Sequence, residues 1–572
     1  MREFHRHCLL AALVVAAGAA MSRAALGDET AFGIDDANIT HVYARNIAEG
    51  LGSVYYPGGA PVEGSTSTLW TLINAAIWVF AGSTPAAYQA IAILFSWASV
   101  LVGLRMWALT RDALKLEGAV GEGVTALVFL CAPAWFAWTI WTLMDVTLWT
   151  ALFGSCVLAT AKLVSAVGPS RRVKVAALAL HALLVACRPE GSAMSIGLLA
   201  VAAVIALLQP GGPDRSRLWS LARIALAAGF VFIGLTLARL AIFGQPFPNT
   251  YYAKVVADLG VRLARGATYT IDSILRWQLL RVGLVCWFVL IAMRLWARRR
   301  DLRGWVQEEG ALLLLPAGLA GLLATSTLSG GDHFAYQRFF QPALPILAIG
   351  VAAIVAMLLP EPARRSRAVA TGAAVLSALM VWLAYSDFQF RENALGEEFI
   401  IANEGREMGE RLNHIADAAG PTSLSVLAAG GIALTYRGGP VYDVLGLNWP
   451  EMAHSKAPRT GVAGHVAFDP AVFWRASPDL LVSSAVGPPA GHEVRVGWFE
   501  DLALKGLERS NRFQAAYVPA EVDGAGRPRF VFVSHAWLER HGDAGGRLSL
   551  RSWRDVRIGQ SEAANPSSEH KG

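Results

Sequence analysis

The chain has 572 residues, 54% of them hydrophobic and only 16% charged, against about 25% charged in an ordinary soluble protein. Apolar runs of membrane-spanning length fill residues 8–386, whereas 387–572 read as soluble protein, so a wholly soluble chain is excluded. Much of the formal charge of +6 sits in short Lys/Arg clusters between apolar runs, as the positive-inside rule asks, and this placement argues against nucleic acid as a partner.

Arg2, His5 and Arg6 precede an apolar run that resembles a signal peptide but is read as an uncleaved first span over 8–26. Further spans are predicted near 86–108, 119–139, 146–166, 174–187, 191–209, 219–243, 279–296, 310–328, 342–359 and 368–386, about eleven helices with 174–187 a short candidate. The run 66–82 is treated as a re-entrant or interfacial helix, because a crossing there would put Arg111 and Lys115 outside. With that choice the N-terminus, Arg111/Lys115, Arg171–Arg172–Lys174, Arg215/Arg217, Arg298–Arg299–Arg300 with Arg303, and Arg364–Arg365–Arg367 all fall on the cytoplasmic side. One outer loop, 244–278, breaks the pattern with Lys254, Arg262, Arg265 and Arg276.

The expected organisation is a membrane domain over 1–386, with a first outer loop at 27–85, then an extracytoplasmic α/β domain over 387–560 and a disordered polar tail at 561–572. In the soluble part, REMGERLNHIADAAG predicts a helix, and SLSVLAAGGIALTY, DLLVSSAV and RFVFVSH contain strand-like runs. Five cysteines, Cys8, Cys131, Cys156, Cys187 and Cys286, have neither CxxC nor Cys/His spacing, which speaks against disulfides and a thiolate zinc site. No Walker loop, HExxH or Rossmann glycine motif is present, so a cytoplasmic nucleotide-binding engine is not indicated.

The polar clusters that could carry chemistry all fall on the outer side. Asp35–Asp36 heads a stretch in which Ile39, Val42, Tyr43, Asn46 and Ile47 have helical spacing, predicting an amphipathic helix along the membrane surface. Two acids there suit helix capping, or general-base or cation-binding work at a membrane entrance. Asp145, in WTLMDVTLW, is either solvated or positions a cation or a sugar hydroxyl. Arg188 and Glu190, in CRPEG, form a turn with a weak ion pair or a binding element. FGQPFPNTYYAKV offers Asn249, Tyr251, Tyr252 and Lys254 as a sugar-binding surface or an interfacial belt. In GGDHFAYQR, Gly330–Gly331 lets backbone approach a ligand, and Asp332, His333 and Arg338 supply an acid, a titratable ring and a fixed cation. Arg338 is the best phosphate candidate, because a guanidinium binds phosphate oxygens bidentately.

In order and spacing these blocks resemble GT-C glycosyltransferases, and in particular the branch containing the mycobacterial terminal β-arabinofuranosyltransferase. The resemblance rests on Asp35–Trp70, Arg188–Gly191, Pro248–Lys254, Gly330–Pro345 and Tyr442–Asn448. One departure is clear: the family's GxE near the third span reads Leu143-Met144-Asp145. The resemblance implies a GT-C fold, a polyprenyl-phosphate sugar donor (arabinofuranose in that branch) and a glycan or glycolipid acceptor, at the outer face of a bacterial inner membrane. It implies that Asp36 or Asp35 takes the acceptor's proton and that cations such as Arg338 steady the departing lipid phosphate. Asp145, Arg188, Glu190, Asn249, Tyr251, Lys254, Asp332 and His333 are then substrate-binding. A lipid phosphate is a tolerable leaving group, so no cytoplasmic nucleotide is required; a divalent cation on the paired carboxylates is left open, since hard cations want more oxygen ligands than the sequence names. Two rival readings use the same residues: a lipid-linked sugar flippase, and a non-enzymatic envelope sensor or scaffold.

Overall fold

The computed structural model describes residues 2–165, 169–209, 214–254, 258–359, 367–390, 394–460, 464–486, 494–524, 529–544 and 546–558. The membrane part runs through α1 (Arg2–Leu26), α2 (Asp35–Ala48), α3 (Thr68–Ala81), α4 (Pro85–Leu114), α5 (Val120–Leu130), α6 (Pro133–Phe136), α7 (Val146–Val164), α8 (Arg171–Cys187) and α9 (Glu190–Leu207). It continues through α10 (Arg215–Phe243), α11 (Asn249–Lys254), α12 (Leu259–Arg276), α13 (Gln278–Ala297), α14 (Leu302–Glu309), α15 (Leu314–Ser329), α16 (Leu344–Leu358) and α17 (Arg367–Phe390). Among the described residues, nine helices are long and apolar enough to cross a bilayer. A tenth span is formed if α5 and the Pro133–Trp141 segment, bent by 70° at their junction, are taken together.

The expected eleventh span does not meet that standard. It is α8, a 17-residue helix with Arg171, Arg172 and Lys174 in its first turn, which leaves too short an apolar run. It nevertheless packs against α7, α9 and α10 inside the bundle. The 66–82 run forms α3, only 14 residues long, or about 21 Å against a hydrocarbon core of about 30 Å. Ser67 caps it, accepting a hydrogen bond from the Trp70 N–H at 3.3 Å. Arg111 pairs with Glu3 at 3.2 Å and Arg6 with Glu122 at 2.6 Å. The 25 residues of α1 place this charged cluster at the far end of the bundle from the first loop, as a non-spanning α3 requires.

After the bundle comes α18 (Ala394–Ala419) and a sheet. Its strands are β1 (Leu424–Val426), β2 (Val441–Asp443), β3 (Leu480–Val486), β4 (Val494–Val496), β5 (Tyr517–Val522), β6 (Arg529–Ser534), β7 (Leu548–Leu550) and β8 (Val556–Ile558). The order is β2-β1-β3-β6-β5-β7, with β4 and β8 forming a separate pair. Strand β1 is parallel to both neighbours, Leu424 lying opposite Val441 and Leu480, while β3, β6, β5 and β7 run antiparallel in turn. The anticipated helix and strands are present, with one exception. The GGIALTY end of the first strand-like run is instead a short helix, α19 (Gly431–Thr435), for a reason that lies in the first loop.

The α2 helix is not exposed along one face, as the amphipathic reading expected. It is buried over most of its length between the bundle and the sheet region. Ile39, Val42, Tyr43, Tyr55 and Val62 share one apolar core with Leu424, Ile432, Leu447 and Val533. The polar residues of α2 find partners there: Arg45 donates to the carbonyls of Ala433 and Leu434, Asn46 to that of Val54, and Tyr43 to the Asn448 side chain at 2.8 Å. These bonds offset much of the cost of burying the helix, although Arg45 Nη2 and His41 Nε2 have no hydrogen-bond partner among the described residues. The expected boundary at 386/387 falls within α17; the predicted tail, Arg364 and Arg365 lie outside the described residues.

Candidate active site

A cavity of about 950 Å³ opens where the first loop, α7, α9, α11, α12 and the segment after α15 meet the sheet region. Asp36, Asp145, Arg188, Glu190, Tyr251, Lys254, Asp332, His333 and Arg338 all line it, and Leu447 and Gly464 contribute from the C-terminal side. Nine of the eleven anticipated site residues therefore converge, from segments spread between Asp36 and Arg338 in the sequence.

Asp36 is the acid of the adjacent pair that faces this space. One of its carboxylate oxygens lies 3.8 Å from Lys254 Nζ and 4.0 Å from an Arg338 nitrogen. Burial works to raise its pKa, but Lys254 and Arg338 outweigh burial and hold it below the usual carboxylate value. The carboxylate is thus ionised at neutral pH. Arg338 is held in place by Asp332, with an ion pair at 2.7 Å and a hydrogen bond at 3.0 Å, and its guanidinium lies 4.4 Å from the Phe334 ring centroid. Arg188 donates to Asp145 at 3.1 Å and to Glu190 at 3.4 Å. The ring of Phe339 lies between the two guanidiniums, 5.6 Å from that of Arg188 and 5.3 Å from that of Arg338. His333 sits 3.7 Å from Asp332 and packs against His465. Burial lowers its pKa more than the Asp332 charge raises it, leaving a neutral ring.

Two anticipated residues point elsewhere. The Asp35 carboxylate is buried and accepts the N–H groups of Gly430 at 2.9 Å and Gly431 at 2.7 Å. Burial pushes its pKa up to about 6 despite those bonds. An acid placed against the free N–H groups of a helix start favours a helix there, which explains α19. The approach is close: a Cβ on Gly430 would lie 1.8 Å from the Asp35 carbonyl oxygen. Asn249, expected to bind substrate, is buried and donates both amide hydrogens, to the carbonyls of Gly446 at 2.8 Å and Leu447 at 2.9 Å. It joins the outer loop to the sheet region and holds Leu447 at the cavity wall.

The glycine pair after α15 also serves a different approach from the one anticipated. Gly330 and Gly331 both have positive φ, at 91° and 79°. A Cβ on Gly331 would stand 2.5 Å from Tyr269, so the pair lets α12 pack closely as well as lining the cavity. At the departure from the GxE pattern, Leu143 takes the left-handed φ of 56° that suits glycine. Its carbonyl accepts the Trp70 indole N–H at 3.1 Å.

For a divalent ion, three ligand atoms within mutual reach occur among the described residues at Glu3, His7 and Glu122, far from the cavity. Asp35 and Asp36 point to different neighbours, so the pair does not fit a shared ion. Sequence reasoning missed Glu398 on α18. Burial, then the charges of Asp36 and Asp35, push its pKa up to about 8, and Arg338 works against them. Nothing in the local pattern of α18 announces this, since the charges that matter, on Asp36, Asp35 and Arg338, are far away along the chain.

No protein-family model matches the chain, and no curated protein matches it in sequence. In fold it is similar to two crystal structures of ArnT from Cupriavidus metallidurans. The first is bound to undecaprenyl phosphate, with a TM-score of 0.53 and 14% identity; the second is the apo state, with 0.52 and 15%. Each match covers 91% of this chain and 97% of the other. Coverage that wide takes in most of the C-terminal region as well as the bundle. The chain is a multi-pass membrane protein with an ArnT-like fold and a mixed α/β sheet region at its C-terminal end.

Proposed function

We propose that the protein is a membrane glycosyltransferase that moves a sugar from a polyprenyl-phosphate carrier to a glycan or glycolipid acceptor, with Asp36 as the base. The observation that carries this reading is an ionised carboxylate on a 950 Å³ cavity with Lys254 and Arg338 at its side. The ArnT-like fold supports it, because one of the matching ArnT structures holds undecaprenyl phosphate. In the transfer, the bond from the anomeric carbon to the phosphate oxygen breaks and its electrons leave with the phosphate. The acceptor oxygen forms the new bond to that carbon, and its proton passes to Asp36. Lys254 and Arg338 then face the growing negative charge on the phosphate. Carrier phosphate binding would draw their field away from Asp36 and raise its affinity for a proton just where one is released.

The motif resemblance points to arabinofuranose as the sugar, and the charge pattern of the loops supports a cavity on the outer face of the cytoplasmic membrane. The test uses the purified protein in lipid, incubated with a panel of polyprenyl-phosphate sugars. Release of polyprenyl phosphate with one of them supports the reading. A flippase would move the sugar lipid between leaflets with no release, and a sensor would bind it unchanged.

A further inference from the structure

Most cations on the cavity wall are already matched. Arg188 faces Asp145 and Glu190, Arg338 faces Asp332, and Lys254 faces Asp36. Arg262 and Arg265 line the same cavity, and among the described residues neither guanidinium makes an ion pair or donates a hydrogen bond. The Arg262 Nε is shielded from solvent with no partner. The two are three positions apart on α12 and so share one of its faces.

Their placement is built into the packing. Thr270 on α12 hydrogen-bonds Thr327 on α15 at 2.9 Å. A Cβ on Gly266 would lie 1.9 Å from the Thr327 carbonyl oxygen, and one on Gly330 would lie 3.2 Å from Arg262 Cγ. Small residues at both places bring α12 in and seat the Arg262 stem. These cations also lie in the loop that breaks the positive-inside pattern, which is a cost in topology that a binding role would offset.

We propose that Arg262 and Arg265 form a second anion subsite, which binds a phosphate or carboxylate on the acceptor. The proposal rests on the transferase reading for the word acceptor, though not for the anion. The carrier phosphate belongs elsewhere: Lys254 and Arg338 are the cations beside Asp36, where the bond breaks. A small crevice between α7, α9 and α15, lined by Val146, Leu322 and Thr325, meets the cavity at Arg188 and Arg338. The α12 pair is left for the other substrate.

The test measures equilibrium binding to the full-length protein in phosphatidylcholine nanodiscs, with octyl glucoside 6-phosphate, octyl glucoside and undecaprenyl phosphate as probes. The phosphorylated glucoside is expected to bind about tenfold more tightly than the neutral one, as charge-assisted hydrogen bonds to two guanidiniums require. In the Arg262→Gln/Arg265→Gln variant, checked for wild-type thermal unfolding, that preference disappears while undecaprenyl phosphate binds as before. Each single variant, carrying one arginine, falls between. No preference in the wild type, or a preference that survives the double change, overturns the subsite. A parallel loss of undecaprenyl phosphate binding also overturns it, since the pair would then belong to the carrier. So does complete displacement of the probe by phosphatidylglycerol in the disc, which would make the pair a headgroup anchor. No step of this test needs turnover, so failure of the subsite and failure of the transferase reading register separately.

Discussion

At the far end of the bundle Glu3, His7 and Glu122 gather with Arg6, Arg105 and Arg111; at the near end Asp36, Asp145 and Asp332 gather with Lys254, Arg188 and Arg338. In residue types the two clusters are much alike. In the first, the Glu122 carboxylate is almost fully buried and has Arg6 at 2.6 Å and His7 at 3.3 Å around it, and Arg105 approaches the other side of His7 at 3.4 Å. The three side chains that could have held a cation are met by arginines instead. The charges close on one another and join α1, α4 and α5. In the second, each pair leaves one face toward open space of about 950 Å³, and the guanidiniums of two further arginines on that wall have no partner among the described residues. Charge density is common to both ends; what makes a site is charge that the fold has positioned but not consumed.

The largest expected effect tests that contrast directly. Asp36→Asn keeps the shape of the side chain and removes its ability to take a proton, so turnover should fall by about 10²–10⁴-fold with folding and carrier binding retained. Near-wild-type release of polyprenyl phosphate by this variant would move the search for a base to Asp332 or Asp145. Next, Arg338→Lys preserves charge but loses the planar fork, and carrier binding should weaken by about tenfold. Equal affinity in a titration with undecaprenyl phosphate would remove Arg338 from the phosphate site. At the opposite end, Glu122→Gln should lower stability by about 1–2 kcal/mol and leave turnover per folded molecule unchanged. A loss of turnover without a change in melting would break the contrast between joint and site.

The smallest effect is a pH dependence. The Glu398 carboxyl has its pKa pushed up to about 8 in the folded protein, against 4.5 for an ordinary glutamate. The folded state therefore holds more protons than the unfolded one between those values, and stability falls as pH rises through that window. Glu398→Gln removes this contribution. Its melting temperature should exceed that of the wild type by a margin that grows from pH 5 to pH 8 and then levels off. A constant margin across that range would mean that Glu398 is not held neutral by its surroundings.

The sequence by itself determined the membrane class, the approximate spans and the non-spanning 66–82 helix. A bilayer leaves a helix no freedom but to be long, apolar and self-satisfied in its backbone, and those demands are written in consecutive residues. It also picked out most of the residues that meet at the cavity, because an acid or arginine at a span edge stands out against its surroundings. Only the tertiary structure separated Asp35 from Asp36. Neighbours on a helix point about 100° apart, and which of them meets Gly430 and Gly431 depends on a segment almost 400 positions away. The same holds for Asn249, drawn to Gly446 and Leu447, and for α2, expected at the surface but covered by the sheet region. Arg262 and Arg265 stood out in the sequence as charges in the wrong place; that they line the cavity was decided by how α12 packs on α15. Spans follow from local composition, whereas the direction of a side chain and the partner that meets it are settled by contacts between distant segments.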